Sequence, residues 1–258
     1  MKALWKKHRL LFLGLLALVC LLVLAAGWSA LQADPRTDSV YISDPTAVLF
    51  GPDGKKYIIA EGSTSILVLN EEHQYLRTLS GGQQSQGFYY AQSLAADEEG
   101  NLYISDKILG ENGKDIQSER IAVYDKNGSF VDYLYELPRE STQGDNRVRI
   151  QDLRWRDGKL WFVQIEQEGL RLCALDKDTG EQTEAGFYPC EDAWRKVMYA
   201  AVSPEGTVYF TDKYGALYQA SEEGSHTLLY DPVASGEESS IASNLVCAAD
   251  GSIYFNDL

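Results

Sequence analysis

The chain has 258 residues, a hydrophobic content of 45% and a formal charge of −15. This composition is sufficient for one large folded domain and excludes a disordered chain. The excess of acidic residues would repel a phosphate backbone, so nucleic acid is excluded as an expected partner. The same charge is expected to keep an exported domain soluble, or to attract cationic partners.

The first 31 residues have the pattern of a membrane anchor. Residues 1–9 contain four basic side chains and no acidic one, and residues 10–31 contain no charged residue. An apolar stretch of about 20 residues spans a bilayer, whereas a cleavable signal peptide usually has an apolar core of about 7–15 residues. We therefore expect an uncleaved transmembrane signal anchor at 10–31, with a cleaved signal peptide as the alternative. Basic residues stay in the cytoplasm, so 1–9 is a cytoplasmic tip and the body lies outside the cytoplasm, held at the cell membrane by a single pass.

A short linker, residues 32–38, is predicted before a repetitive body, residues 39–258. One pattern recurs five times in this body: an apolar run, an acidic-Gly turn, and a second strand with an aromatic residue near its start. Such a turn predicts a tight hairpin, because glycine adopts positive φ. A recurrence of roughly 50 residues is typical of an array with four short strands per unit. The turn glycines are Gly54, Gly100, Gly158, Gly206 and Gly251, and the aromatic residues are Tyr57, Tyr103, Trp161, Tyr209 and Tyr254.

The five rings are expected to fill the space between neighbouring units, with stacking on a ligand as the alternative. The clearest unit reads Asp97-Glu-Glu-Gly-Asn-Leu-Tyr-Ile-Ser-Asp106 and then Arg120-Ile-Ala-Val-Tyr-Asp-Lys-Asn-Gly128, which resembles an NHL repeat. The resemblance extends more weakly over nearly all of residues 40–258, and implies a TolB-like β-propeller of about six blades. The expected fold is therefore all-β, with four-stranded antiparallel blades after one N-terminal transmembrane helix.

The fifth unit stops directly after its second strand, so about five blades are expected and the last is incomplete. We expect the chain to be truncated at its C-terminus, as the front part of a longer protein. The alternative is a strand at 38–43 that pairs across the closure. Native proteins avoid the unpaired strand edges that an open ring would leave.

Candidate ligand-binding residues lie three positions after each aromatic residue, where equivalent strands are expected to end at one mouth of the propeller. Three carboxylates there could hold a divalent cation or a cationic ligand. The alternative, which we favour, is that each aspartate accepts local backbone hydrogen bonds. The polar stretch 107–119 is expected to be a long loop at this mouth, and 139–147 is expected to connect the second and third units. Both are expected to contribute to binding, with mobile surface loops as the alternative. The candidates are Asp106, Gln164, Asp212 and Asp257.

The sequence contains no recognisable catalytic constellation, so no catalytic residue is assigned and no cofactor is expected beyond a possible divalent cation. The body is interpreted as a binding or sensing module for a protein, a peptide or a glycan. The alternative is an exported metal-dependent hydrolase or lactonase of the propeller class. Cys173 and Cys190 are close enough in sequence to pair, but the hairpin inferred there places Cys173 opposite a residue near 183, which favours free thiols.

Overall fold

The structure is a computed structural model that describes residues 42–82, 86–110, 116–137, 148–234 and 242–257. These residues belong to one compact unit, Tyr41–Leu258. They form five antiparallel sheets in chain order, four with four strands and the last with two. We call these sheets blades 1 to 5.

Each complete blade is a meander of consecutive hairpins, because neighbouring strands in each sheet are also neighbours in sequence. Blade 1 contains β1 (Ala47–Phe50), β2 (Lys56–Ala60), β3 (Ser65–Leu69) and β4 (Tyr75–Ser80), and blade 2 contains β5 (Tyr90–Ala96), β6 (Leu102–Leu109), β7 (Ile116–Tyr124) and β8 (Phe130–Glu136). Blade 3 contains β9 (Arg149–Arg156), β10 (Lys159–Ile165), β11 (Gly169–Asp176) and β12 (Gln182–Pro189). A single helical turn, α1 (Ala193–Lys196), precedes blade 4, which contains β13 (Val197–Val202), β14 (Val208–Asp212), β15 (Leu217–Gln219) and β16 (Thr227–Tyr230). Blade 5 contains β17 (Ala242–Cys247) and β18 (Ile253–Asp257).

The predicted acidic-Gly turns join the first and second strands of all five blades. Their glycines all adopt positive φ, from 72° at Gly158 to 93° at Gly206. In blade 2 the buried carboxylate of Asp97 accepts hydrogen bonds from the Asn101 backbone N–H at 2.8 Å and from the Tyr103 hydroxyl at 3.0 Å. The turn residues and the following ring are therefore fixed together.

The predicted role of the aromatic residues is confirmed for four of the five rings. Tyr57 and Tyr103 are 3% and 2% exposed, and each packs in the apolar cluster between its own blade and the next. Trp161 and Tyr209 line the equivalent clusters that join blades 3 and 4 and blades 4 and 5. Tyr254 of blade 5 differs, because 61% of its surface is exposed.

The first strand of each blade is its innermost strand, because β1, β5, β9, β13 and β17 lie side by side in that order. Side chains also join these strands across the blade boundaries. Gln151 of β9 donates from Nε2 to the carbonyl oxygen of Met198 in β13 at 3.1 Å. Asn244 of β17 donates from Nδ2 to the carbonyl oxygen of Thr46, directly before β1, at 3.1 Å. Radially arranged four-stranded sheets around a common centre are a β-propeller, which confirms the expected fold class.

Several expectations concern the start of the chain. The cytoplasmic tip, the anchor at 10–31 and the linker at 32–38 lie outside the described residues, and within those residues no helix is long and apolar enough to cross a membrane. Of the alternative strand at 38–43, only Ile42 and Ser43 are described, and neither is in a strand. The Ser43 carbonyl oxygen instead accepts a hydrogen bond from the Glu61 N–H of blade 1.

The prediction of free thiols is confirmed for the described cysteines. Cys173, Cys190 and Cys247 are all unpaired. Cys173 lies opposite Glu184 in the β11–β12 pair, one residue from the expected position. Cys173 and Cys247 are buried, and burial raises the pKa of Cys247 to about 11.

Candidate functional site

The candidate residues occupy equivalent positions in their blades. Asp106 pairs with Ala91, Gln164 with Ile150 and Asp212 with Val197. Each partner is the first or second residue of an innermost strand, so the three candidates lie at the edge of the blades where those strands begin. We call this edge the mouth. The backbone of Asp257 pairs with Ala242 at the same edge, but the Asp257 side chain lies outside the described residues.

Asp106 is a structural residue with both carboxylate oxygens engaged. Oδ1 accepts hydrogen bonds from the backbone N–H groups of Tyr89 and Tyr90 at 2.6 and 2.8 Å. Oδ2 accepts from Nε of Arg120 at 2.8 Å. The side chain has no exposed surface, and its burial raises the pKa of Asp106 against the opposing effects of Arg120 and the two N–H groups.

The partner of Asp106 extends this network to the crossover between blades 1 and 2. Arg120 also donates from Nη2 to the Gly87 carbonyl oxygen at 3.0 Å, and its guanidinium lies 3.9 Å from the centre of the Tyr133 ring. The Tyr133 hydroxyl donates to the same carbonyl at 2.7 Å. Asp106 and Arg120 therefore fix the path by which the chain enters blade 2.

Gln164 is buried in an amide and thiol network. Its Nε2 donates to the Tyr135 hydroxyl at 2.8 Å, and its Oε1 accepts from Nε2 of Gln182 at 3.3 Å and from Sγ of Cys173 at 3.5 Å. Burial raises the pKa of Tyr135 and, to about 12, that of Cys173. Gln164 thus links the middle strands of blade 3 to the outer strand of blade 2.

Asp212 closes the hairpin that joins β14 and β15. Its Oδ1 accepts from the N–H groups of Tyr214 and Ala216 at 2.8 and 3.0 Å, and its Oδ2 lies 3.5 Å from the Tyr218 hydroxyl. These are the local backbone hydrogen bonds that were favoured from the sequence. Within the described residues no group of three or more His, Cys, Asp and Glu side chains is arranged to hold a metal. The divalent cation stays a prediction.

The stretch 107–119 is not the loop expected from its sequence. β6 and β7 continue through most of it, with Lys107 opposite Glu119, Ile108 opposite Ser118 and Leu109 opposite Ile116. Between the end of β6 and the start of β7 the structure describes Gly110, which is not in a strand. The loop prediction was therefore wrong for the ends of this stretch. It relied on the lack of an alternating apolar pattern, but β6 and β7 continue to pair through their backbones without such a pattern. The stretch 139–147 lies outside the described residues.

The base of this extended hairpin is fixed to the body by side chains that sequence analysis did not identify. The Glu119 carboxylate accepts a hydrogen bond from the Ile150 N–H of blade 3, and the Glu119 carbonyl accepts one from the Leu137 N–H at 2.9 Å. The Ser118 hydroxyl donates to Oε1 of Glu136 at 2.9 Å. Glu119 is 4% exposed, and burial raises its pKa to about 7. The sequence could have indicated Glu119 as the cross-strand partner of Lys107 only if β6 and β7 had been predicted to extend this far.

A positive side chain lies at the start of blade 3. Arg149 donates from Nη2 to the carbonyl oxygens of Trp194 and Val197 at 3.1 and 2.6 Å. Burial lowers the pKa of this guanidinium, and the Glu119 carboxylate opposes that shift. Glu119 of blade 2 and Arg149 of blade 3, which contacts blade 4, therefore place groups of opposite charge at the mouth.

A surface cavity of about 490 Å³ lies beside the chain segment that joins blades 3 and 4. It is formed by residues 167–168, 189–192 and 223–224 and includes the carboxylates of Glu168, Glu191, Asp192 and Glu223. The Trp194 indole N–H donates to Oε1 of Gln167 at 2.7 Å and supports one wall. The acidic lining suits a cationic or polar group more than an apolar one.

The ring of blades and the inward first strands define the protein as a member of the β-propeller class. No protein-family model matches its sequence, and no curated protein matches it. Its fold is similar to a catalytically inactive virginiamycin B lyase from Staphylococcus aureus with quinupristin, with a TM-score of 0.50, 17% identity, and coverage of 85% of this chain and 65% of the lyase chain.

Two further solved structures share the fold. A chain from a nidogen/laminin complex has a TM-score of 0.53 and 11% identity, with 83% of this chain and 72% of that chain covered. The extracellular domain of a protein described as a one-component system from B. thetaiotaomicron has a TM-score of 0.52 and 12% identity, with 86% and 27% covered. At these identities the likeness shows the fold alone. The chain spans 65% of the lyase chain's length, slightly less than two thirds.

Proposed function

We propose that the protein is a membrane-anchored, extracytoplasmic β-propeller that binds a protein, peptide or glycan ligand at its mouth. The observation that carries this proposal is the β6–β7 hairpin, which is longer than the β2–β3 and β14–β15 hairpins at the equivalent place. Its extra residue pairs stand beyond the level of Asp106 at the mouth edge.

A hairpin that binds a ligand gains affinity when it is already held in place, because less conformational entropy is lost on binding. The β6–β7 hairpin meets this condition at its base, where Ser118 contacts blade 2 and Glu119 contacts both blades 2 and 3. The buried Asp106–Arg120 pair lies directly below these residues. The segment beyond this base is therefore mounted on a rigid support.

Two proteins of similar fold are consistent with the proposed role. One of them is an extracellular domain, and another belongs to a complex of two proteins. The proposed location at the membrane depends on the first 31 residues, since a basic tip followed by 22 uncharged residues is typical of a signal anchor.

The binding proposal is tested with the complete chain in detergent and a hairpin-shortened variant. Residues 109–117 are replaced by Asn-Gly, which forms a two-residue turn between the facing Ile108 and Ser118 and leaves Glu119 in place. The matched control replaces residues 176–181 with Asn-Gly between the facing Leu175 and Gln182, at the opposite edge of blade 3.

Both variants and the unaltered protein are used to capture ligands from extracytoplasmic extract, with thermal-shift measurements against peptide and glycan panels. We expect the hairpin-shortened variant to lose its ligand at least about tenfold in affinity, corresponding to about 1.4 kcal/mol. The control should retain it. Equal capture by all three proteins, or no ligand for any of them, would contradict binding at the mouth.

A further inference from the structure

Two basic side chains at the mouth have no acidic partner. Arg149 is the first residue of β9, and Lys107 lies in the extended part of β6, opposite Glu119. Among the residues that the structure describes, no carboxylate lies within ion-pair distance of Arg149 or Lys107. In a protein whose formal charge is −15, two such cations at one edge are a local exception.

The two cations flank one place between blades 2 and 3. Lys107 and Glu119 are directly opposite in an antiparallel pair, so their side chains lie on the same face of blade 2. The Glu119 carboxylate accepts from the N–H of Ile150, the residue after Arg149, so this face is turned toward the start of β9. The charges of Lys107 and Arg149 both act on Glu119. The two basic side chains therefore approach the same site from different blades.

The guanidinium of Arg149 is mostly buried and only partly satisfied. Its Nη2 donates to the carbonyl oxygens of Trp194 and Val197, and its buried Nε has no hydrogen-bond partner. Neutral carbonyl groups leave the positive charge uncompensated, whereas a buried charge normally has an opposite charge beside it. The planar guanidinium presents parallel N–H groups that match the two oxygens of a carboxylate. Arg149 is therefore suited to bind a carboxylate from a ligand.

Glu119 does not neutralise the site. Burial raises its pKa to about 7, so this carboxyl group is largely uncharged in mildly acidic solution. When Glu119 is ionised, Lys107 and Arg149 still contribute two positive charges against one negative charge. The adjacent Asp106–Arg120 pair is neutral as a whole. The site thus has a net positive charge whether or not Glu119 carries its proton.

The inner edge of the extended hairpin offers backbone groups beside these cations. On this side β6 pairs with β5 as far as Lys107, which lies opposite Tyr90. Ile108 and Leu109 continue β6 beyond that point, and the structure describes no strand that pairs with them on the β5 side. An unpaired strand edge is a template for an added peptide strand, because the peptide main chain supplies the hydrogen bonds. A glycan has no such main chain.

We propose that the mouth binds an extended peptide through one carboxylate, held between Arg149 and Lys107, with the peptide main chain against the edge of β6 at Ile108 and Leu109. The inference rests on the proposed function and deepens it, because it names the ligand as a peptide and the recognised group as a carboxylate. Charge complementarity supports this occupant: a local positive site suits a single carboxylate, whereas the charge of −15 on the whole chain repels a polyanion.

The ligand class is tested with the complete chain, immobilised in detergent, and three pools of randomised hexapeptides with acetylated N-termini. The first pool has a free C-terminal carboxylate and no acidic side chain. The second is amidated at the C-terminus and contains acidic side chains, and the third is amidated and contains none. We expect the first pool, the second or both to be retained at least about tenfold more than the third, and the difference between them identifies the source of the carboxylate.

Equal retention of the three pools would overturn the proposal. Oligosaccharides that carry glucuronate are tested in parallel under the same conditions. Their retention without that of any peptide pool would also overturn it, because the recognised carboxylate would then belong to a glycan.

The residues are tested with Lys107→Gln and Arg149→Gln, each of which removes one positive charge. The matched control is Lys196→Gln, which removes an exposed positive charge directly before β13 at the same edge. We expect each of the first two to lower the affinity for the retained peptides at least about tenfold, and the control to lower it less than about twofold. Urea denaturation verifies that each variant is folded. Lys107→Gln decides the outcome if Arg149→Gln does not fold, and unchanged affinity in a folded variant of either residue would overturn the proposal.

Failure of this inference is distinguishable from failure of the proposed function. If the hairpin-shortened variant loses a ligand from extract while the three peptide pools are retained equally, binding at the mouth is supported and recognition of a carboxylate is wrong. If peptides are retained through their carboxylate and through Arg149 while no ligand is captured from extract, the carboxylate site is supported and the capture test of the proposed function has failed.

Discussion

Arg120 donates to the buried carboxylate of Asp106 at 2.8 Å, and this ion pair joins the two middle strands of blade 2 to the chain that enters it from blade 1. Asp106→Ala would leave the Arg120 cation without its partner and the Tyr89 and Tyr90 N–H groups without their acceptor. Breaking a buried pair in this way costs about 3–5 kcal/mol.

We expect Asp106→Ala to lower the free energy of unfolding by about that amount, measured by urea denaturation at pH 7. The matched control is Asp178→Ala, because the Asp178 carboxylate pairs with Lys177 on the surface and is 77% exposed. A surface pair of this kind contributes at most about 1 kcal/mol. Similar losses for both variants would show that the Asp106 network is not a stabilising element.

Glu119 should make stability depend on pH. Burial raises its pKa from 4.5 to about 7, so the folded protein binds a proton that the unfolded chain releases between these values. The contribution of Glu119 is most favourable below pH 4.5 and is lost as pH rises through 7, by about 3 kcal/mol. Glu119→Gln should remove this part of the pH dependence, measured by denaturation between pH 4 and 8.

The control for this measurement is Glu136→Gln, because Glu136 is exposed although it also contacts the extended hairpin. Lys107, Arg149 and Asp106 are the charged groups that act on Glu119, and all three are present in both variants. A wild-type pH profile parallel to that of Glu119→Gln would show that Glu119 does not titrate in this range.

Removal of divalent cations should leave the described part of the propeller unchanged. Both oxygens of Asp106 and Oδ1 of Asp212 already accept hydrogen bonds from the protein. We expect EDTA to shift the Tm by less than about 1 °C, because no ligand stabilisation is removed. A lower Tm that calcium or magnesium restores would indicate a cation held by other residues at the mouth, and would favour the metal-dependent alternative.

The proposed N-terminal anchor predicts where the protein is found. The complete chain should remain in the membrane fraction after a carbonate wash, and protease added from outside should degrade the propeller of intact cells or spheroplasts. A variant that begins at residue 34 behind a cleavable signal should be released in soluble form. Release of the complete chain by the wash would contradict an uncleaved anchor.

The hairpin units could be predicted because their determinants are local. The Asp-Gly and Glu-Gly turns specify positive φ within two residues, and rings such as Tyr103 follow at a fixed distance. The rings of Tyr103 and Trp155 stack with their centres 5.5 Å apart and their planes at 8°. This contact joins blades 2 and 3, and it shows that the repeated aromatic residue packs one blade against the next. The resemblance to NHL repeats thus led to the correct class of fold, although no family model matches the chain.

The site could be predicted only in part, because its contacts are long-range. The position of Asp106 followed from the repeat, but its acceptance of the Tyr89 and Tyr90 N–H groups depends on the crossover between blades. Glu119 was missed because it was assigned to a loop, and its partner Ile150 lies 31 residues away. Sequence patterns predict which residues lie at the same edge of the blades. The packing of the blades decides which of these side chains form internal hydrogen bonds and are therefore not free to bind a ligand.

The contact between Thr46 and Asn244 also imposes an order on the folding of the chain during its synthesis. These residues are 198 positions apart, so the first strand cannot find its neighbour until nearly the whole propeller has left the ribosome. During that interval Phe50 and Val48 are open to adventitious association with other nascent chains. The time that this contact takes to form thus sets how long the emerging chain depends on chaperones.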